Sequence, residues 1–210
     1  MPKTRREGAL DADRAADVLR DLIVAGDLVP GQRLVERRLA DWIGVSRVPV
    51  RQALHQLVVE GFATERPTGG VAVSDLSPDQ VSELLEVAHA LDAVAVRRLL
   101  AARTDLSSLR ALLVRAGSAI DGGREADAVR LNAEFHVRLL DIAPAPTVRR
   151  TARPLRRVLG WALQQHADPA PVPAAHVALV DALEQGDADR VEAVLAQHVR
   201  TSRAALAERT

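Results

Sequence analysis

Residues 29–73, VPGQRLVERRLADWIGVSRVPVRQALHQLVVEGFATERPTGGVAV, decide the fold. After the turn Val29-Pro30-Gly31, a short helix is expected from about Val35 to Ile43, closed by Gly44. A second begins almost at once behind Ser46, a residue type that caps helix N-termini. Pro49 then falls in the first turn, where backbone N–H groups have no intrahelical partner. This helix runs to Glu60-Gly61. Phe62–Arg66 and Val71–Val73 then read as extended pieces around Pro67-Thr68-Gly69-Gly70, a strong turn signal, and form the only β-hairpin expected in the chain. Two helices sharing a glycine-bearing corner, followed by a hairpin, predict a winged helix-turn-helix.

The faces of the second helix sharpen that reading. Val50, Ala53, Leu54, Leu57 and Val58 recur at the spacing of a buried stripe, while Arg47, Arg51 and His55 step along the opposite face. Between Trp42 and Val59 the charged residues are Arg47 and Arg51, with no acid among them. A basic stripe suits a helix lying in a DNA major groove, where phosphate contacts supply affinity and paired arginine donors read guanine edges. The competing reading is a solvated helix face.

Outward from this segment the chain is predominantly helical. Upstream, residues 11–25 carry apolar residues at helical spacing and stop at Gly26. Downstream, Ser77-Pro78-Asp79-Gln80 is a capping-box start. Helices follow near 78–102, 105–120, 124–142, 146–166, 173–185 and 188–208. The breaks between them fall at Asp121-Gly122-Gly123, at Ala143-Pro144-Ala145-Pro146 and in the Pro-rich stretch 169–173. The expectation is a mainly α chain of two domains: a winged helix-turn-helix over 1–76 and an all-helical antiparallel bundle over 77–210.

Composition agrees and excludes much. The 210 residues are 48% hydrophobic and 27% charged, enough apolar material for a packed core, and at 2% aromatic that core is mostly Leu, Val and Ala. The absence of cysteine excludes disulfides, thiolate metal sites and cysteine nucleophiles. No apolar run is long enough to suggest a membrane span, and MPKTRREGAL lacks the apolar core of a signal peptide, so a cytoplasmic location is expected. Twenty-eight basic residues balance 28 acidic ones, so the positive charge relevant to nucleic acid is local.

Over its whole length, the 29–73 segment resembles the DNA-binding domain of the GntR family of bacterial transcription regulators. The Pro-Gly turn, Arg-Leu, Glu and Leu-Ala of its first part and the VSR-PVR-AL core are all in register. The resemblance implies that Arg37, Arg47 and Arg51 occupy DNA-contacting positions, that Ser46, Val48 and Gln52 lie among them, and that Gly69 and Gly70 form the hairpin tip near the minor groove. Val48 stands where threonine is common, Gln52 where glutamate is common and Gly69 where a polar or basic residue is common. The operator sequence therefore does not carry over.

Residues 78–208 are similar to the ligand-binding and dimerisation domain of the FadR (FCD) branch of that family, through LLEVAHALDAVAVRRL, NAEFHVRLLD and AAHVALVDALEQGDADRVEAVLAQHV. Three histidines lie in those motifs. The commonest role of a lone histidine is at the surface or in a hydrogen-bonded core, but spacing argues for more. Asn132 and His136 share one helix face, and His176 and His198 each lie 11 residues from the turn at Asp187, so both sit about 16 Å along adjacent helices and can face each other. In metal-binding members of the branch the matching positions hold one aspartate and three histidines, here Asn132, His136, His176 and His198. The implied cofactor is a divalent metal, zinc first, with nickel or manganese as alternatives. Ala88 stands where the branch usually has a pocket arginine, which leaves the metal, Arg130 or His89 as substitute partners for an effector carboxylate. The implied function is a transcription regulator, most simply a repressor, that pairs two chains on double-stranded DNA with a two-fold operator and responds to a small organic acid. Two other readings compete. A metal-dependent hydrolase would use the three histidines with Glu134 nearby, but the H-E-x-x-H pattern is missing. A scaffold that has lost DNA binding is at odds with the retention of Arg47 and Arg51.

Overall fold

The structure, a computed structural model, describes residues 5–166 and 174–207. The Pro-rich break expected at 169–173, the first residue of the helix expected at 173–185 and the last of that expected at 188–208 lie outside the described residues. The chain divides into two compact units, Met1–Leu76 and Ser77–Thr210.

The first unit comprises α1 (Arg5–Ala25), β1 (Arg33–Leu34), α2 (Glu36–Ile43), α3 (Arg47–Glu60), β2 (Ala63–Glu65) and β3 (Val71–Val73). Its core lies between α1 and α3, where Ala15, Ala16, Leu19 and Ile23 meet Val50, Ala53 and Leu57, with Phe62 fully buried beside them. Across this layer Arg20, itself buried, donates to both carboxylate oxygens of Glu60 at 2.9 and 3.0 Å and ties α1 to α3. The glycine-bearing corner forms as expected. Gly44 takes a left-handed conformation, φ 76°, and its N–H donates to Ala40 O, which ends α2 without a Cβ penalty. Ser46 holds the N-cap position in extended backbone, but its hydroxyl makes no capping bond to α3.

The hairpin is part of a larger sheet than the sequence suggests. Strand β1 pairs antiparallel with β3, Arg33 opposite Ala72 and Leu34 opposite Val71, giving a three-stranded sheet in the order β1-β3-β2. Two residues are too few to show an alternating pattern, so β1 has no sequence signature. It is fixed by long-range bonds from the residues just before it, Gly31 N–H to Val73 O at 3.0 Å and Val73 N–H to Gln32 O at 2.9 Å. The other strand is shorter than the expected Phe62–Arg66, because Phe62 turns into the core and Arg66 N–H closes the hairpin onto Gly70 O.

The second unit contains α4 (Pro78–Ala102), α5 (Ser107–Asp121), α6 (Glu125–Ile142), α7 (Pro146–His166), α8 (Ala174–Gln185) and α9 (Ala188–Ala207). The capping box at Ser77 has both bonds: Ser77 Oγ accepts from Gln80 N–H, and Gln80 Oε1 accepts from Ser77 N–H. α5 starts two residues later than expected because Asp105 acts outside the helix, accepting from Ser107 N–H and Oγ at 2.9 Å each. α4 packs on α6, α7 and α9, α5 on α6 and α8, and α8 on α9, around a core that includes Val96, Leu99, Leu109, Phe135, Leu139, Leu140, Val180 and Val191. Among the described residues, no helix is long and apolar enough to cross a membrane.

Candidate functional site

Every residue implied for DNA contact is exposed in the first unit: Arg37 on α2, Ser46, Arg47, Val48, Arg51 and Gln52 around the start of α3, and Gly69 and Gly70 at the hairpin tip. The apolar stripe of α3 faces inward, with Val50, Ala53, Leu54 and Leu57 buried, and Val58 only half-buried. The basic face is not free of acid, however. Glu36, on the preceding helix, accepts from Arg51 Nε and Nη2 at 2.7 and 2.9 Å and from Arg47 Nη2 at 3.2 Å. The bonds from Arg51 first, and then those from Arg47, hold the Glu36 carboxyl below its usual range. A reading confined to α3 and its approach could not see this, because the acid comes from α2.

In the second unit, three helices bring histidines together. His136 on α6, His176 on α8 and His198 on α9 are all buried, and one ligand atom from each lies within 4.8 Å of the others. The spacing argument about the last helix pair is met, the His176 and His198 rings being 4.7 Å apart. The cluster lines a cavity of about 370 Å³ together with His89, Asp92, Val96, Phe135 and Leu139. His89, buried on α4, stands with its ring 4.9 Å from that of His198.

Burial keeps these rings neutral. It pushes His136 down to about 4 and, helped by the charges of His136 and Arg156, His198 down to about 3; His176 is driven well below the ordinary histidine value by burial and then by its neighbouring rings. Neutral imidazoles offer lone pairs. Both ring nitrogens of His176, both of His198 and the buried Oδ1 of Asn132 have no hydrogen-bond partner. Each such atom costs about 1–3 kcal/mol when left unsatisfied. Three neutral rings that converge within 4.8 Å, with unspent nitrogens on His176 and His198, fit a divalent transition metal, whereas Asn132 is not among the residues that line the cavity.

The sequence profile described as "Bacterial regulatory proteins, gntR family" matches residues 11–73, and that of the FCD domain matches 83–201. The chain belongs to the GntR family, in its FCD branch. It is 31% identical over 128 residues to the HTH-type transcriptional regulator YdhC of Bacillus subtilis, a match covering 60% of this chain and 57% of that protein, so less than two thirds of that relative is represented. With the HTH-type transcriptional repressor RspR of Escherichia coli it shares 28% identity over 189 residues, 87% of this chain and 83% of the repressor. The crystal structure of a GntR transcriptional regulator from Rhodococcus sp. RHA1 superposes with a TM-score of 0.79 at 21% identity, covering 95% and 98% of the two chains, and shows the shared fold. These relatives are regulators rather than enzymes.

Two candidates suggested by the sequence lie elsewhere in this GntR-family chain. Arg130 is exposed, bound to Asp127 at 3.2 Å and Glu134 at 3.5 Å, and does not line the cavity. Glu134 is spent on Arg130 and Arg115 and is likewise absent from the lining, which removes the acid that the hydrolase reading needed. Two residues that sequence reasoning passed over line the cavity instead, and a third, Arg156, is bound to one of them. Arg97 lines it and donates to Glu192 at 2.6 and 2.8 Å, joining α4 to α9. Asp92, also in the lining, is buried; its Oδ2 is 2.8 Å from His136 Nδ1, and both its oxygens accept from Arg156 on α7. Burial lowers the Arg156 guanidinium to about 9, which leaves it charged at neutral pH. The available signal was positional: Asp92 falls on the buried stripe of Leu85, Ala88, Ala95 and Leu99, and Arg156 on that of Ala152 and Leu159.

Proposed function

We propose that this chain is a DNA-binding transcription regulator that pairs as a homodimer on a two-fold operator, places α3 in the major groove and is released by a small organic acid bound in its helical unit. Arg47 and Arg51 leave α3 opposite its buried stripe, where they would meet base edges or phosphates. Arg37, Ser46, Val48 and Gln52 flank them, and Gly69 and Gly70 would let the hairpin tip approach the minor groove. A single recognition helix reads a half-site, so two-fold pairing supplies the second.

The observation that carries the sensing half is the convergence of His136, His176 and His198 within 4.8 Å beside a cavity of about 370 Å³. These rings, with Asn132 as fourth donor, would hold a divalent ion, zinc first and nickel or manganese as alternatives. The bound ion would supply a positive centre for a carboxylate. Because all four donors are neutral, none of them cancels its charge, which favours an anionic effector. His89 and Arg97 both line the cavity, and Arg97, which would exchange its partner Glu192 for the rest of that anion, takes the part first considered for Arg130.

The test combines melting and DNA binding on the full chain. Metal at 100 times its dissociation constant adds about 2.7 kcal/mol of stability, a shift that chelator should reverse and His176→Ala abolish. Organic acids should then raise the melting temperature further and weaken operator binding in a gel-shift assay. Protein purified without chelator that carries no metal and gives no shift with zinc, nickel or manganese would overturn the ion reading. The regulator reading would fall to unchanged DNA affinity in Arg47→Ala and Arg51→Ala, and the dimer to a monomer in light scattering at micromolar concentration.

A further inference from the structure

Asp92 is engaged on both oxygens. Oδ1 accepts from Arg156 Nε at 3.3 Å; Oδ2 accepts from Arg156 Nη2 and lies 2.8 Å from His136 Nδ1. All three side chains are buried. Such a carboxylate is poorly placed to ligate an ion itself, since doing so would strip the guanidinium of its partner. It is well placed to act on a ligand. A neutral imidazole carries one N–H, and a carboxylate facing Nδ1 can only accept, so the hydrogen resides on Nδ1 and the lone pair on Nε2.

We infer that Asp92 is a positioning residue for the histidine cluster, fixing His136 as the Nδ1–H tautomer with Nε2 available to an ion, and that Arg156 holds the Asp92 carboxylate in place for this task. The inference concerning the ion rests on the function proposed above, whereas the tautomer stands on the hydrogen bond alone. It also gives the cluster a feature its donors lack. With Asn132 neutral, no ligating oxygen carries charge, but a carboxylate stands behind one of the rings and raises its basicity, as outer partners of metal-bound histidines do. The three side chains come from α4, α6 and α7, with Asp92 44 residues from His136 and 64 from Arg156 along the chain; Asp92 and His136 line the cavity, and Arg156 stands behind Asp92.

The test uses the full chain with ¹⁵N-labelled histidine and a double variant, Asp92→Leu with Arg156→Met. Replacing both partners avoids a buried, unpaired guanidinium, which would confound the result through unfolding. Nitrogen shifts of the metal-free wild type should show His136 protonated at Nδ1, and the variant should lose that preference while keeping the wild-type helical spectrum. Zinc affinity, measured by competition with a chromogenic chelator, should fall about tenfold to a hundredfold. An unchanged tautomer, or unchanged zinc affinity in a variant whose tautomer has shifted, overturns the positioning role. A wild type that binds no zinc but loses the Nδ1–H preference in the variant overturns the ion reading and leaves Asp92 as the residue that sets the ring.

Discussion

In the first unit, Glu36 of α2 accepts from Arg47 and Arg51 of α3 at an open surface; in the second unit, Asp92 accepts from Arg156 and His136 among buried side chains. The same chemistry, one carboxylate between two basic groups, serves opposite ends. The exposed cluster is screened by salt and can be exchanged for a phosphate at little expense, as a surface that meets DNA requires. The buried one cannot exchange its partners, so its value lies in holding geometry at the cavity wall.

The largest expected effect breaks the buried arrangement. Arg156→Met leaves Asp92 facing only His136 and should destabilise the second unit by about 3–5 kcal/mol, whereas adding Asp92→Leu should recover most of that loss. Chemical denaturation of the three proteins checks it. A single variant as stable as wild type would mean that water reaches the pair.

Acid should separate the two units next. His136, His176 and His198 are held neutral by burial, with folded-state values below the ordinary 6.5. Groups lowered in this way contribute their full stability above the unfolded value and lose it as pH falls toward the folded one. The second unit should therefore weaken progressively as pH falls from 6.5 toward about 4. Trp161 is buried in the second unit and Trp42 is exposed in the first, so melting a Trp42→Phe variant by fluorescence reports the second. A melting temperature flat from pH 7.5 to 5 would contradict the burial of these rings.

At the exposed cluster the effect should appear in binding and not in folding. Arg51→Ala or Arg47→Ala should weaken operator binding by on the order of ten- to a hundredfold with no change in melting. Titrations against mismatched operators distinguish their roles. Loss of a base contact relaxes preference at one position, while loss of a phosphate contact weakens all sequences alike and flattens the salt dependence.

The contrast also explains what could be read in advance. Helix positions were legible because apolar periodicity and end signals such as Ser77-Pro78 and Gly44 are local. Two-residue β1 was not, since only its partner β3 defines it. The three histidines could be paired by counting from Asp187, because adjacent helices convert sequence distance into height. Asp92 with Arg156 and Glu36 with the α3 arginines were missed for one shared reason: charge neighbours are set by tertiary packing across 64 and 15 residues, whereas a count along one helix sees only its own charges. Arg130 is the opposite case: its partners Asp127 and Glu134 lie three and four residues away on its own helix, a local pattern that already marks a solvent face.

The smallest effect expected is also the sharpest probe of the exposed cluster. Glu36 bonds to both arginines at once and, with its carboxyl held below the usual range by them, stays ionised at any pH at which DNA binding is measured. In the free protein it therefore competes with phosphate for the same donors. Glu36→Gln keeps the side-chain shape, removes the charge and leaves Arg47 and Arg51 with a weaker acceptor. DNA affinity should rise by no more than a few-fold, for non-specific DNA as much as for the operator, since the acid acts on charge and not on base edges. The gain should shrink as salt is raised, because an exposed pair is screened within about 10 Å at 0.1 M. A loss of operator affinity would instead show that Glu36 orients the two arginines for readout, so that the exposed cluster, like the buried one, holds geometry.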